Sequence, residues 1–370
     1  TRIHFTMSVR DQAPWCSDAE LIGNDSYGGR MNVDKMLFGM GCFNHSPCVH
    51  CSSPVRLNIF VAKKSRSERE VQCITTTLRC KNKSCQKTHS PFAGTIWKEI
   101  SDRQLFLFVI GAFLGRCTVR SVADLTSSKE ETISKYTMII KNALYLENEA
   151  EKADMKLGGA GVVVQGDESR VFSRKYNVGR VLKITEHGWL FGMVEDKENG
   201  RLYLEMVKTR DGERLKGIIK DHTQDGTTVF TDRWPAYEGL DDDQTKHFKV
   251  NHKQCFVSHQ RINVEEGVEV VECGSDEAED ADDQVLLDDT IVVHTNKIER
   301  VWREVKRGLR DQPLRLLSRN VGVEMYRYNH LNANVPFAAR RDIIINLVAK
   351  HQSKIQDLLR NQYPIYPEEQ

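Results

Sequence analysis

His294-Thr295-Asn296-Lys297-Ile298-Glu299-Arg300-Val301-Trp302-Arg303-Glu304-Val305-Lys306 is the stretch on which the rest of the chain turns. Ile298, Val301, Trp302, Val305 and, just beyond, Leu309 recur at the i, i+3, i+4, i+7 spacing of a helix with one buried stripe. Glu299, Arg303 and Lys306 then share the neighbouring face, one acid with two bases. Two readings stand for Glu299. With Asn296 as N-cap, Glu299 three residues later completes a capping box and only satisfies backbone donors. In the other reading the helix carries a carboxylate toward a charged site.

Two aspartates upstream bear on that choice. Asp167 follows Val162-Val163-Val164-Gln165-Gly166, and Asp232 follows Thr228-Val229-Phe230-Thr231. Each ends a short β-branched run. A strand that is apolar throughout is buried on both faces, and an acid just past its end sits at the rim, where a ligand or metal is reached. Two carboxylates side by side resist ionisation unless a cation lies between them, so Asp, Asp and Glu converging call for Mg²⁺ or Mn²⁺. Paired ions of this kind activate an attacking oxygen and stabilise the leaving one in phosphodiester chemistry.

Gly166-Asp167-Glu168-Ser169, then Arg174-Lys175-Tyr176, Thr231-Asp232-Arg233-Trp234-Pro235-Ala236-Tyr237, Val250-Asn251-His252, and His294 to Glu299 with Trp302 and Lys306 come in an order that resembles the Merlin superfamily of DNA transposases and its bacterial insertion-sequence relatives. The resemblance covers roughly residues 46 to 345. It implies an α/β catalytic domain with a ribonuclease-H-like mixed sheet flanked by helices, and a D-D-E metal site on Asp167, Asp232 and Glu299. Lys306, seven residues after the glutamate, matches the family's basic position and is a candidate contact to the DNA backbone. Arg170, Arg174, Lys175 and Arg180 crowd the segment after Asp167 as either a solvated loop or a phosphate track. Asn296, Lys297 and Arg303 join them as candidate DNA contacts.

At 370 residues the chain is long enough for more than one domain, since single cores stop growing at about 250 to 300 residues. The mean hydropathy of −0.50 describes a soluble protein, and the longest apolar run, Leu105 to Leu114, is too short to span a bilayer. No membrane partner and no secretory signal are expected. The chain does not begin with Met, which leaves room for a further N-terminal segment. Residues 1 to 45 show no period and stay unassigned, with Cys16 and Cys42 as free thiols.

The ten cysteines cluster in a way that points to metal inside a cell rather than to disulfides outside one. Cys48-Val49-His50-Cys51 is a C-x2-C knuckle, and Cys80 to Cys85 a C-x4-C one. Four thiolates are the usual closed set for structural Zn²⁺, although Cys73 or His50 can stand in for one of them. Ser90 to Trp97 is similar to the end of the zinc ribbon in the transposase family named above. Residues 46 to 98, the expected ribbon, carry ten Lys or Arg against Glu68 and Glu70, a surplus that favours phosphate.

Residues 99 to 150 read as three helices. The first opens at a Ser101/Gln104 capping box, the second is short and carries Val119, Val122 and Ala123, and the third is capped by Ser128 with Glu131. A short helix, a turn and a longer helix is a helix-turn-helix pattern, which any small helical bundle also produces.

The catalytic domain is expected over residues 158 to 345. Its strands are Val162–Gln165, Gly188–Val194 and Leu202–Val207, the last two joined through an Asn199-Gly200 hairpin signal. A helix near Asp211–Asp221, strands at Thr228–Thr231 and Phe248–Val250, and the Glu299 helix complete it. His247 and His252 read as packing or capping residues. Residues 263 to 290 hold twelve Asp or Glu and no Lys or Arg, and read as a solvated acidic insertion. Without those acids the net charge would rise from +1 to +13, so the near-neutral total hides a basic chain. Residues 346 to 370 are expected to be a C-terminal helix and tail, the helix itself starting near Asp342.

The function expected from these features is cut-and-paste DNA transposition in the nucleus. A zinc ribbon and helical module bind the transposon's terminal repeats, and a homo-oligomer on double-stranded DNA joins their 3′-hydroxyls to target DNA. A domesticated DNA-binding descendant without transposition is the rival reading. A host ribonuclease-H-like nuclease explains the acids but not the basic cysteine ribbon.

Overall fold

A computed structural model describes residues 26–43, 47–66, 69–171, 189–241, 245–250, 257–263, 267–274, 290–310 and 313–361. Its first element, helix α1 (Ser26–Gly39), falls where the sequence shows no period. A polar contact fastens it. Asp34 is buried and accepts from Arg103 Nε at 2.5 Å and from the Thr76 hydroxyl, so the charge is paired as well as dehydrated.

Strands β1 (Val55–Arg66) and β2 (Arg69–Cys80) pair antiparallel over their whole length, Val55 opposite Cys80, and β3 (Thr88–His89) adds to β2. The long connection between the two cysteine knuckles is thus a hairpin that returns the chain to where it started. Helix α2 (Arg103–Leu114) is capped by Asp102, whose carboxylate accepts from Leu105 N at 3.0 Å, one residue later than the expected Ser101 box. Ser101 is drawn off instead to the Tyr136 hydroxyl, 3.4 Å away. Helix α3 (Val119–Thr126) is capped by Thr118 and ends at left-handed Ser127, and α4 (Glu130–Lys152) follows. Trp97, Phe106 and Tyr136 stack edge to face at 5.8 and 5.5 Å in this core.

After β4 (Leu157–Gly158), a five-stranded sheet begins with β5 (Val163–Arg170), β6 (Trp189–Glu195) and β7 (Leu202–Val207), an antiparallel meander. The chain turns between β6 and β7 with the Gly200 N–H on the Lys197 carbonyl at 3.0 Å and with Asn199, but not Gly200, at positive φ, 52°, so the turn is not the type I′ that Asn-Gly favours. Helix α5 (Gly212–His222) leads through β8 (Thr223–Gln224), which pairs with β4, into β9 (Thr227–Asp232) and β10 (Thr245–Val250). These last two lie parallel to β5, so the order is β10-β9-β5-β6-β7.

Strands β11 (Val257–Asn263), β12 (Gly267–Gly274) and β13 (Thr290–His294) make a separate antiparallel sheet in the order β12-β11-β13. The expectation of a solvated loop over 263 to 290 is corrected for Gly267–Gly274. Its backbone is paired along β11, with an irregularity at His259/Gln260. The remainder, 264–266 and 275–289, lies outside the described residues. Helix α6 (Asn296–Leu309) then buries Ile298, Val301, Trp302, Val305 and Leu309, the stripe its spacing predicts, and α7 (Leu317–His330) packs beside it.

The last two helices, α8 (Phe337–Lys350) and α9 (Gln352–Asn361), replace the single helix expected from Asp342 to Leu359, with a break at buried His351. They belong with the N-terminal elements: Ile96 N–H donates to Gln352 Oε1 at 3.4 Å. Two compact units result, one of the described residues before Glu147 together with those from Ala333 onward, the other Glu147–Asn332. Among the described residues no helix is long and apolar enough to cross a membrane.

Candidate active site and metal centre

Parallel pairing sets Gln165 of β5 opposite Phe230 of β9. Two residues beyond that last registered pair stand Asp167 and Asp232, close enough for the Asp232 charge to raise the Asp167 carboxyl. Asp232 is the last residue of its strand, as expected, and its Oδ1 accepts the Trp234 N–H at 3.1 Å. Asp167 is not past the end of its strand. β5 runs on to Arg170, paired to β6 throughout, because its polar residues find partners: buried Glu168 accepts from Tyr237 Oη at 2.5 Å and from Arg210 at 3.1 Å. Successive side chains alternate across a sheet, so Glu168 serves the opposite face.

Asp167 Oδ2 accepts from the Trp302 indole N–H at 2.8 Å, a bond from α6 to the sheet. Gly192 lies directly across from Asp167 on β6, and a Cβ there would come within 2.6 Å of Trp302 Cη2. The missing side chain is what lets the indole lie down on the strand. Burial pushes the Asp167 carboxyl up to about 7; the Trp302 bond works against this, while the charges of Glu168 and Asp232 add to it. Burial likewise raises Glu168. Carboxylate oxygens that repel one another are donors of the class that hard divalent cations take.

Helix α6 begins at Asn296, with Thr295 rather than Asn296 at the cap position and no side-chain cap bond from Thr295. Gln165, fully buried, receives the N–H groups of Lys297 and Ile298 on its Oε1 at 2.9 and 3.1 Å. Its Nε2 donates to Asp196 at 2.9 Å and lies 3.0 Å from His294 Nδ1. An amide from the strand of Asp167 thus caps the helix of Glu299. Glu299 is exposed, one turn before Trp302, and Arg303 and Lys306 are exposed on its side of the helix. The three carboxylates are not gathered within the span of a single ion; among the described residues only cysteines are.

The candidate DNA contacts divide. Lys297 and Asn296 line a cleft of about 680 Å³ with Asp196, Arg300 and Glu304, around the helix from Glu299. Lys297 Nζ donates there to the Lys197 carbonyl, and desolvation lowers its pKa. Arg170 is exposed and lies over the Trp189 ring at 4.6 Å. Arg174, Lys175, Arg180 and His252 lie outside the described residues. His247 is a packing residue, its Nε2 2.8 Å from Thr231 Oγ1. Sequence reasoning missed Gln165 and Arg210. A lone amide inside Val162-Val163-Val164-Gln165 was a readable signal, since a buried amide needs partners. Arg210, in a polar loop, carried none.

The four Sγ atoms of Cys48, Cys51, Cys80 and Cys85 lie within 4.8 Å of one another, with Cys48–Cys85 at 3.8 Å and Cys51–Cys80 at 3.5 Å. Thiolates about 2.3 Å from a tetrahedral Zn²⁺ stand about 3.8 Å apart, so the cluster fits the ion. The backbone is shaped for it. Ser52 takes a left-handed conformation with its N–H on the Cys48 carbonyl at 2.8 Å, and Asn82 N–H donates to Cys80 Sγ at 3.4 Å. Cys73 sits within β2 opposite Ala62. Burial pushes the Cys42 thiol up to about 12, which suits a packed free thiol; Cys16 lies outside the described residues.

Residues 158–312 match the sequence model of a family described as ISXO2-like transposase domain. The span includes Asp167, Asp232, Glu299 and Lys306, and supports a transposase of the insertion-sequence type. The chain has no match among curated proteins or among solved structures.

Proposed function

We propose that the protein is a D-D-E DNA transposase of the Merlin kind, cutting transposon ends and joining their 3′-hydroxyls to target DNA. The observation that carries this reading is the parallel pairing of β5 with β9, which brings Asp167 within reach of the Asp232 charge, with the Glu299 helix bonded to β5 through Trp302 and Gln165. A mixed sheet of three antiparallel strands continued by two parallel ones, helices against it, supports a ribonuclease-H-like domain.

Asp167, Asp232 and Glu299 would hold Mg²⁺ or Mn²⁺. Such ions supply a polarised water or hydroxyl for attack and charge for the departing oxygen. The chain's own part is positional. Trp302 fixes one oxygen of Asp167 and leaves the other for a ligand, and Gln165 holds the first turn of α6 on the strand. Arg303 and Lys306 offer positive charge to the phosphate backbone on the Glu299 face. Cys48, Cys51, Cys80 and Cys85 would hold structural Zn²⁺ at the base of the hairpin, and α3 with α4 would present the transposon-end contact. A homo-oligomer on DNA, in the nucleus, completes the reading.

The test is strand cleavage of transposon-end oligonucleotides by wild type, Asp167→Asn, Asp232→Asn and Glu299→Gln in Mg²⁺ and Mn²⁺. Each variant is expected to lose orders of magnitude in rate while binding DNA as wild type does. Undiminished cutting by Glu299→Gln would reject the glutamate as a ligand. Wild type that binds the ends and never nicks them would put the domesticated reading in its place.

A further inference from the structure

Trp234 stands two residues after Asp232 and is 41 % exposed. Its N–H is tied to Asp232 Oδ1 at 3.1 Å, and Pro235 after it holds the backbone extended at φ −72°, ψ 129°. The Arg210 guanidinium lies 4.3 Å from the centre of the Trp234 ring and 4.3 Å from that of Trp189. Glu168 grips that guanidinium at 3.1 Å and is itself gripped by Tyr237 at 2.5 Å. An open indole is therefore tied by its backbone to Asp232 and braced through Arg210 on buried Glu168, the residue after Asp167 in β5. Core packing does not need such a brace, because the ring it supports is left in water.

A rigid aromatic face beside cations is what unpaired bases stack on, and it accepts any of the four. Resting on the transposase reading, which brings a phosphate to Asp167 and Asp232, we propose that Trp234 is a stacking platform for an unpaired nucleobase next to the phosphate that is cut. A base within a duplex already has both faces covered, so the platform favours a frayed or extruded nucleotide. Arg210 and Glu168 position the ring and do not touch the reacting atoms.

The probe is an oligonucleotide duplex with a short unpaired overhang carrying 2-aminopurine, compared with the same duplex blunt-ended. Both are titrated with the full chain in buffer free of Mg²⁺ and Mn²⁺, so that no cutting intervenes. The overhang should bind more tightly and its emission should be quenched. Trp234→Ala should lose roughly 5- to 150-fold on the overhang alone, with the quenching. Trp234→Phe should restore most of both, which excludes misfolding as the cause. Equal losses on the two duplexes, or an unchanged overhang affinity, overturn the proposal. So does a shift in sedimentation without any change in overhang binding, which would make Trp234 a contact between copies. Failure of the transposase reading shows elsewhere, as wild type that never nicks, while an overhang preference lost in Trp234→Ala still supports the platform.

Discussion

Asp167 has its ordinary carboxyl near 3.8 and its buried one at about 7, and the sign of the consequence follows. A group whose pKa is raised by folding contributes stability that is complete below its unfolded value and is lost as pH climbs through the folded one. Without divalent ions, wild type should therefore weaken between about pH 4 and 7. Asp167→Asn, which still accepts the Trp302 N–H, should not. At pH 8 the variant is expected to melt higher by several degrees, at about 2–4 °C for each kcal/mol in a domain of this size, and Mg²⁺ should raise wild type alone. Calorimetry with and without Mg²⁺ checks both halves. Gly192→Ala forces Trp302 off the strand, for about 1–3 kcal/mol in denaturant titration, and takes the hydrogen bond from Asp167. Asp232 was legible because its β-branched run stops with it. Asp167 was misplaced at a strand end because Glu168 and Ser169 look like loop residues until Arg210 and Tyr237 are brought to them by the fold.

Among the elements, α6 shows what periodicity reveals and what it hides. All five apolar positions of its stripe were readable from spacing, and all five are buried. Its start was not, because the cap comes from Gln165, well over a hundred residues earlier, rather than from a local box. Gln165→Ala leaves the Lys297 and Ile298 N–H groups without their acceptor in a buried place, at roughly 1–3 kcal/mol for each orphan. Hydrogen exchange should find these two amides losing protection before the middle of the helix does; unchanged protection would show that another group caps α6. The acidic segment teaches the converse. Val268 and Val270 alternate with Glu269 as strand residues do, yet the mass of charge around them reads as loop, and only pairing with β11 decides for the strand.

At the scale of the whole molecule, zinc is expected to bear on one unit only. Removing Zn²⁺ from the full chain with a strong chelator should unfold the base of the β1–β2 hairpin, since a structural site couples binding to folding, and leave the melting of Glu147–Asn332 in place. Metal analysis should return about one Zn per chain, and Cys80→Ser none. Loss of both melting transitions on chelation would contradict this independence. The return of α8 and α9 to the N-terminal elements was hidden from the sequence, where an amphipathic helix shows that it needs a partner but not which one. That return also sets a timetable. A ribosome delivers Glu147–Asn332 whole while the unit begun before it still lacks its last two helices, so the segment made first is finished last. Through that interval Ile96, Trp97 and the α2 surface wait for residues not yet translated, and a premature stop after Asn332 would spare the acids yet strand the cysteine-bearing half.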